Sequence, residues 1–161
     1  MNRFRNAQPS DAIRCFEIET DAYEGDEAAT LEKIAKRIEV YPDGFLILEE
    51  RDEIAGFINC GCANEVEMSD EEFKELVGHE PDAPNVVIMS VVVDPVHQGT
   101  GLSRALMTEF VDRMRKMGKS AIYLMCKEDH VPLYQRFGYS YLYPSISDHG
   151  GMTWHEMSMR L

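Results

Sequence analysis

No apolar run in this sequence approaches the ~20 residues that would span a bilayer. The opening MNRFRNAQPSD has two arginines but no apolar core behind them, so neither a membrane partner nor a secretory leader is expected, and the expected location is cytoplasmic. Cationic residues are scarce. Sixteen Lys and Arg stand against 29 Asp and Glu, for a net charge of -13. Repulsion from phosphates argues against nucleic acid as a partner. The same acidity is permissive for a cationic substrate, or serves solubility alone. Cysteine is scarce too: Cys15, Cys60, Cys62 and Cys126 form no CxxC pair and have no adjoining His pattern. That speaks against a disulfide framework and a zinc site, and for small buried hydrophobes. Repeats and low-complexity linkers are lacking. With 161 residues, 44% of them hydrophobic, the chain is expected to form a single domain over 1–161 with a core of its own.

What is present alternates strand and helix patterns. A first strand is expected over Arg3–Asn6, then a helix capped by Ser10 with Ala12, Ile13, Phe16 and Tyr23 at roughly helical spacing. Thr30 caps a second helix carrying Leu31, Ile34, Ala35 and Ile38, and Tyr41-Pro42-Asp43-Gly44 ends it in a turn. Phe45–Glu49 and Ile54–Ala63 read as a hairpin, in which Gly56 and Gly61 mark a bulge or a close backbone approach. Ser69-Asp70-Glu71-Glu72 is a capping box for a short helix with Phe73, Leu76 and Val77 as its apolar face and Gly78 as its end. Val86–Val93 is apolar enough for a strand buried on both faces. A helix over 102–117 follows, with Leu102, Ala105, Leu106, Phe110, Met114 and Met117 on one stripe, then Gly118 and a strand over Ala121–Cys126. Strand, helix and strand in that order form a parallel, right-handed crossover. A short helical segment near Pro132–Phe137 and late strands over Tyr139–Leu142 and Thr153–Leu161, with the loop Ser147–Gly151 between them, complete an α/β pattern with a mixed sheet.

The densest local signal is VDPVHQGTGLSRALM, residues 93–107. A strand stops at Pro95, two glycines follow one residue apart, and a helix begins at once. The first turn of a helix has unsatisfied N–H groups and the positive end of the dipole, so Gln98 to Ser103 can form an anion site, with Arg104 one turn in. The Walker pattern is absent, because no Lys follows Gly101. The dinucleotide pattern fails at Arg104, its third glycine position, and at Met125-Cys126-Lys127, where an acidic residue belongs. A tight turn that holds nothing is the bland alternative.

The residues resemble the acetyl-CoA signature of the GNAT N-acetyltransferase superfamily. Its Gln-x-x-Gly-x-(Gly/Ala), after Val-x-Pro, reads here Gln98-Gly99-Thr100-Gly101-Leu102-Ser103 behind Val93-Asp94-Pro95, with Ser103 as the departure. Leu133-Tyr134-Gln135-Arg136-Phe137-Gly138-Tyr139 resembles the superfamily's Tyr-x-x-x-Gly-(Phe/Tyr) element. The longer LMCKEDHVPLYQRFGY, residues 124–139, is similar to the arylalkylamine (serotonin-type) branch, and Trp154-His155-Glu156-Met157 fits that branch's last strand. The residue-level resemblance is concentrated in 86–159. It implies a GNAT-like α/β fold: a mixed, mostly antiparallel central sheet flanked by helices, with splayed central parallel strands. It implies acetyl-CoA as cosubstrate, held at its pyrophosphate by Gln98, Gly99, Thr100, Gly101, Leu102, Ser103 and Arg104. The main chain of Val91, Val92 and Val93 would face the pantetheine arm, one N–H polarising the acetyl carbonyl as in an oxyanion hole.

Acetyl transfer to a small-molecule primary amine also needs a proton donor for the leaving thiolate. Tyr134 is the expected general acid, since a phenol of pKa ~10 suits that task; a core aromatic is the alternative. The arylalkylamine branch uses two His, one residue apart, on the fourth strand, and NVVIMSVVV has none. Glu49, Glu65, Glu67, His130 and His155 are candidates for the base, and a water chain is another route. His97 reads as a surface turn residue, His149 as a loop residue, and His79 as a cation at a helix end. Cys126 reads as a packed strand end, which leaves direct attack in a ternary complex. The acidic stretch of Glu65, Glu67, Asp70, Glu71, Glu72 and Glu75 could attract amines or form a solvated face, and Phe57, Phe73, Tyr141, Tyr143 and Trp154 are available as aromatic walls. A non-catalytic acyl-CoA-binding module and a protein N-terminal or lysine acetyltransferase remain as other readings. A homodimer is compatible with the resemblance.

Overall fold

A computed structural model describes residues 2–23, 28–68, 71–99, 101–146 and 153–161. The strands are β1 (Asn2–Asn6), β2 (Phe45–Glu50), β3 (Glu53–Ala63), β4 (Asn85–Val93), β5 (Ala121–Cys126), β6 (Ser140–Pro144) and β7 (His155–Arg160). The α-helices are α1 (Ala12–Ala22), α2 (Leu31–Val40), α3 (Leu102–Lys116) and α4 (Val131–Arg136). The seven strands form one sheet in the order β1-β2-β3-β4-β5-β7-β6. β4 and β5 pair in parallel across the α3 crossover, whereas β1–β2, β2–β3, β5–β7 and β6–β7 are antiparallel. This is the mixed, mostly antiparallel α/β architecture expected from the sequence. The parallel register runs from Asn85↔Ala121 to Val87↔Tyr123, although β4 continues to Val93 and β5 to Cys126.

The chain divides into two compact units. The first comprises Met1–Cys60 with Ser90–Phe110. Its core gathers Ile18 of α1, Ile34 and Ile38 of α2, Phe45 and Ile47 of β2, Phe57 of β3 and Val92 of β4. Each large side chain so buried contributes ~1.5–3 kcal/mol. Arg51 and Asp52 both have positive φ, 54° and 66°, which fits the two-residue turn whose twist matches a hairpin. At Gly56 a Cβ would lie 2.6 Å from the Val92 carbonyl oxygen, so the glycine permits a close backbone approach.

Two helix expectations in this unit need correction. Ser10 is not the cap of α1: Pro9–Asp11 forms a 3-10 turn, and the Asp11 carboxylate accepts the Gln8 N–H at 2.7 Å. Asp11 also takes both arms of Arg5, at 2.7 and 2.9 Å. On α1 the buried face is Ala12, Cys15, Ile18 and Glu19, whereas Ile13 is 65% exposed. On α2 Thr30 caps as expected, accepting from Lys33 N–H, but Ala35 is exposed and Arg37 is buried. Arg37 donates to Asn59 Oδ1 and Ser90 Oγ, both at 3.3 Å. Burial lowers its pKa, and the charge of Glu19 counters that. A buried arginine with polar partners satisfies helical spacing as well as an alanine does, and periodicity alone does not separate them.

The second unit comprises Gly61–Met89 with Val111–Leu161. Ala63, Met68, Phe73 and Val87 form a small core, with Val66, Tyr123 and Met125 packed against it. The expected short helix is a 3-10 turn over Glu71–Glu75, followed by Leu76 at φ 65°; Ser69 and Asp70 of the expected capping box lie outside the described residues. Phe73 and Leu76 are buried, but Val77 is 51% exposed. His79 is not the cation expected at that end. Its Nδ1 accepts the Cys62 N–H at 2.9 Å, and burial, with Lys119 adding to it, lowers its pKa. Lys119 is itself buried and donates to the carbonyls of Pro81 and Ala83. Gly118 ends α3 at φ 80°. Met117 falls outside the helix and is 42% exposed. All four cysteines are buried thiols. Among the described residues no helix is long and apolar enough to cross a membrane.

Candidate active site

In the first unit two carbonyls at the end of β4 accept side-chain hydrogen bonds. Tyr23, the residue after α1, donates its hydroxyl to the Val91 carbonyl at 3.0 Å. The Val92 carbonyl lies over Gly56, and Val92 itself is in the core. Gln98 Nε2 donates to the Val93 carbonyl at 3.1 Å. Gln98 therefore folds back on the strand and shapes the turn. Asp94 anchors the same corner: its N–H donates to Ala55, its carboxylate accepts from Val96 N–H, and Arg14 Nη2 reaches it at 2.6 Å.

The turn then opens the helix. Gly99 and Gly101 have φ of 81° and 80°, with open space where a Cβ would be. Glycine is needed there for the left-handed backbone. The Gly101 carbonyl accepts the Ala105 N–H at 3.2 Å, so the amides of Leu102, Ser103 and Arg104 precede the first helical bond. Leu102 is buried, Ser103 half-buried and the Arg104 side chain exposed. Thr100 lies outside the described residues. These first-turn amides and the dipole of a 15-residue helix suit a phosphate-bearing ligand.

In the second unit α4 presents Tyr134. Its ring meets Phe137 and Tyr139 edge-on, with centroids 6.1 and 5.9 Å away, and its carbonyl accepts the Phe137 and Tyr139 amides. Gly138, at φ 107°, makes the turn that returns the chain to β6. Burial raises the phenol pKa, and the nearby Cys126 adds to the rise. Tyr134 is thus a protonated donor at neutral pH. Cys126 ends β5 with its thiol 3.7 Å from Met157 Sδ, and burial pushes its pKa up to about 11. A neutral, packed thiol is a poor nucleophile.

The base candidates separate. Glu49 is held by Arg3 at 2.6 Å and Arg5 at 2.9 Å, and those bonds keep its carboxyl below the usual range. His155 Nδ1 is 2.9 Å from the Tyr141 hydroxyl. His130 is exposed at the end of the 3-10 turn Glu128–His130. His97 is 3.8 Å from Glu50. His149 lies outside the described residues. Glu65 and Glu67 line a cavity of about 370 Å³ together with Phe73 and Val87. Tyr23 is the one residue here with no sequence signal, since its spacing on α1 reads as plain core.

A model of the Acetyltransferase (GNAT) family matches residues 12–139, and the chain belongs to that family. The loading GNATL domain of CurA from Lyngbya majuscula superposes with a TM-score of 0.87 at 16% identity, covering 99% of this chain and 98% of that one. YncA from Salmonella typhimurium, solved with its cofactor acetyl-CoA, gives 0.71 at 22%, covering 99% and 94%. The ribosomal-protein-S18-alanine N-acetyltransferase from Escherichia coli gives 0.71 at 18%, covering 99% and 94%. At these identities the likeness is one of fold.

Proposed function

We propose that the chain, as one domain over 1–161, is an acetyl-CoA-dependent N-acetyltransferase that acts on a primary amine by direct attack in a ternary complex. The observation that carries this reading is the strand–turn–helix of 93–104, with Gly99 and Gly101 in the left-handed region and three first-turn amides ahead of the first helical bond. Family membership makes acetyl-CoA the anion that such a turn serves. Its pyrophosphate would sit at Gln98 to Arg104, and its pantetheine arm along Val91 to Val93.

The amine attacks the thioester carbonyl carbon, the carbon–sulfur bond breaks, and the thiolate leaves with the proton of the Tyr134 hydroxyl. The proton of the attacking nitrogen passes to a base or to water, and its return to the Tyr134 oxygen restores the donor. The neutral thiol of Cys126 supports direct attack rather than an acetylated cysteine. The resemblance of 124–139 to the arylalkylamine branch supports an acceptor with an apolar or aromatic body, reached without that branch's paired fourth-strand His. The test is thiol release from acetyl-CoA across arylalkylamines, polyamines and peptides. Release on small amines supports the proposal, and release on peptides alone makes the chain a protein acetyltransferase. Tight acetyl-CoA binding with no release on any acceptor makes it a binding module. No binding of acetyl-CoA overturns the reading of the turn.

A further inference from the structure

A buried polar cluster sits within the core of the first unit: Glu19, Arg37, Asn59 and Ser90. Asn59 of β3 alternates with Phe57, and Ser90 of β4 with Val92, so both face the core that α1 and α2 complete. Arg37 stands between Ile34 and Ile38 on α2 and donates from Nη1 to Asn59 Oδ1 and Ser90 Oγ, at 3.3 Å each. One guanidinium thus ties α2 to two strands. Glu19 of α1 accepts the Ala29 N–H on one carboxylate oxygen, and its charge favours the Arg37 cation. Stability alone does not account for this cluster. Burying a guanidinium costs more than burying an apolar side chain of similar volume. Glu19 Oε1 and Asn59 Nδ2 are also buried with no hydrogen-bond partner among the described residues, which is a further cost.

The cluster grips β4 where its pairing with β5 has ended. The parallel register stops at Val87↔Tyr123, and Ser90 lies further along β4. Val91, the next residue, accepts the Tyr23 hydroxyl at 3.0 Å. The Tyr23 backbone N–H in turn donates to the Glu19 carbonyl. Side chains from α1 and α2 therefore hold two successive β4 residues. We propose that Arg37 is a positioning residue for acetyl transfer: through Asn59 and Ser90 it fixes where the main chain of Val91 to Val93 meets the thioester. Arg37 does not itself touch the substrate. It aims a carbonyl-polarising N–H before the coenzyme arrives, and a preorganised donor acts more strongly than one that must reorganise. This inference rests on the acetyltransferase reading above.

Ser90→Ala in the full chain isolates the tie, because it removes the hydroxyl that accepts from Arg37 and leaves Arg37 its bond to Asn59. The readouts are the infrared band of the thioester carbonyl in bound, isotope-labelled acetyl-CoA, kcat for thiol release with 2-phenylethylamine, and the urea midpoint. In wild type the band should lie below its position in free acetyl-CoA. In Ser90→Ala it should move back toward the free position, and kcat should fall about fivefold, the worth of one hydrogen bond, with the amine KM held. Ser90→Thr, which keeps the hydroxyl, should retain the wild-type band and kcat. A purely structural tie would lower the urea midpoint and leave both the band and the kcat of the folded fraction unchanged. That result overturns the proposal. So does a wild-type band at the free position, or a loss in folded Ser90→Thr as large as in Ser90→Ala. A Ser90-dependent band with no thiol release to that amine, a polyamine or a peptide would sink the transferase reading and leave the positioning intact. A wild-type chain that binds no acetyl-CoA overturns both.

Discussion

The Tyr134 hydroxyl keeps its proton in these surroundings. Burial, helped by Cys126, pushes its ionisation upward, so its proton is present throughout the range in which an amine gains nucleophilicity. The rate should therefore rise with pH as the amine deprotonates, with no loss from Tyr134 until above pH ~10; a kcat profile from pH 6 to 10 checks this. Tyr23 has another task. Its hydroxyl supplies the Val91 carbonyl with a donor where the parallel register has already stopped. Tyr23→Phe removes one hydrogen bond, worth ~1 kcal/mol. Acetyl-CoA should then bind about fivefold more weakly, whereas 3′-phospho-ADP, which has the pyrophosphate without the pantetheine arm, should bind as before. Calorimetry with the two ligands distinguishes this from a general loss of fold.

At the scale of elements, two glycines make opposite demands. Gly101→Ala meets no neighbour but must adopt φ near 80°, a cost of ~1–2 kcal/mol. Gly56→Ala pushes a methyl group against the Val92 carbonyl and should cost ~1–3 kcal/mol, while also displacing the strand proposed for the coenzyme. Urea unfolding of both variants, paired with acetyl-CoA titration, checks these costs. The half-buried His79 makes a third demand. Its pKa is lowered in the fold, so its neutral form contributes stability that is intact above the unfolded value of ~6.5 and is lost as pH falls toward the folded one. Between pH 7 and 5 the urea midpoint should drop more in wild type than in His79→Asn.

Elements with strong punctuation were legible in the sequence: the 93–107 turn, the bounds of β5, the Thr30 cap and the hairpin. Glycines, a proline or a capping oxygen mark the first three, and the polar Glu50-Arg51-Asp52 between two apolar runs marks the hairpin; each mark acts locally. The rest depended on tertiary partners. Ile13 and Ala35 share helical spacing with the core yet face outward, because Glu19 and Arg37 take buried places with polar partners. The segment after Met68 has a helical cap pattern but makes a 3-10 turn in which Phe73 packs on Gly61. The site divided in the same way. Gln98, the glycines and Tyr134 stand in motifs, whereas the Tyr23 contact with Val91 arises only when distant segments fold together.

For the whole molecule, charge would act on the two proposed substrates in opposite directions. A net charge of -13 repels the phosphates of acetyl-CoA and attracts an ammonium. Raising salt from low to physiological strength should speed acetyl-CoA association and raise the KM of a cationic amine; stopped-flow binding and steady-state kinetics at two ionic strengths check both signs. The central claim, that a glycine-turn anchor and a phenol donor serve one acetyl transfer, is tested most directly on Tyr134→Phe, by measuring kcat for thiol release alongside the Kd of acetyl-CoA. The account predicts a kcat reduced ~100-fold with Kd unchanged. An unchanged kcat, or a loss fully explained by failure to bind acetyl-CoA, would contradict it.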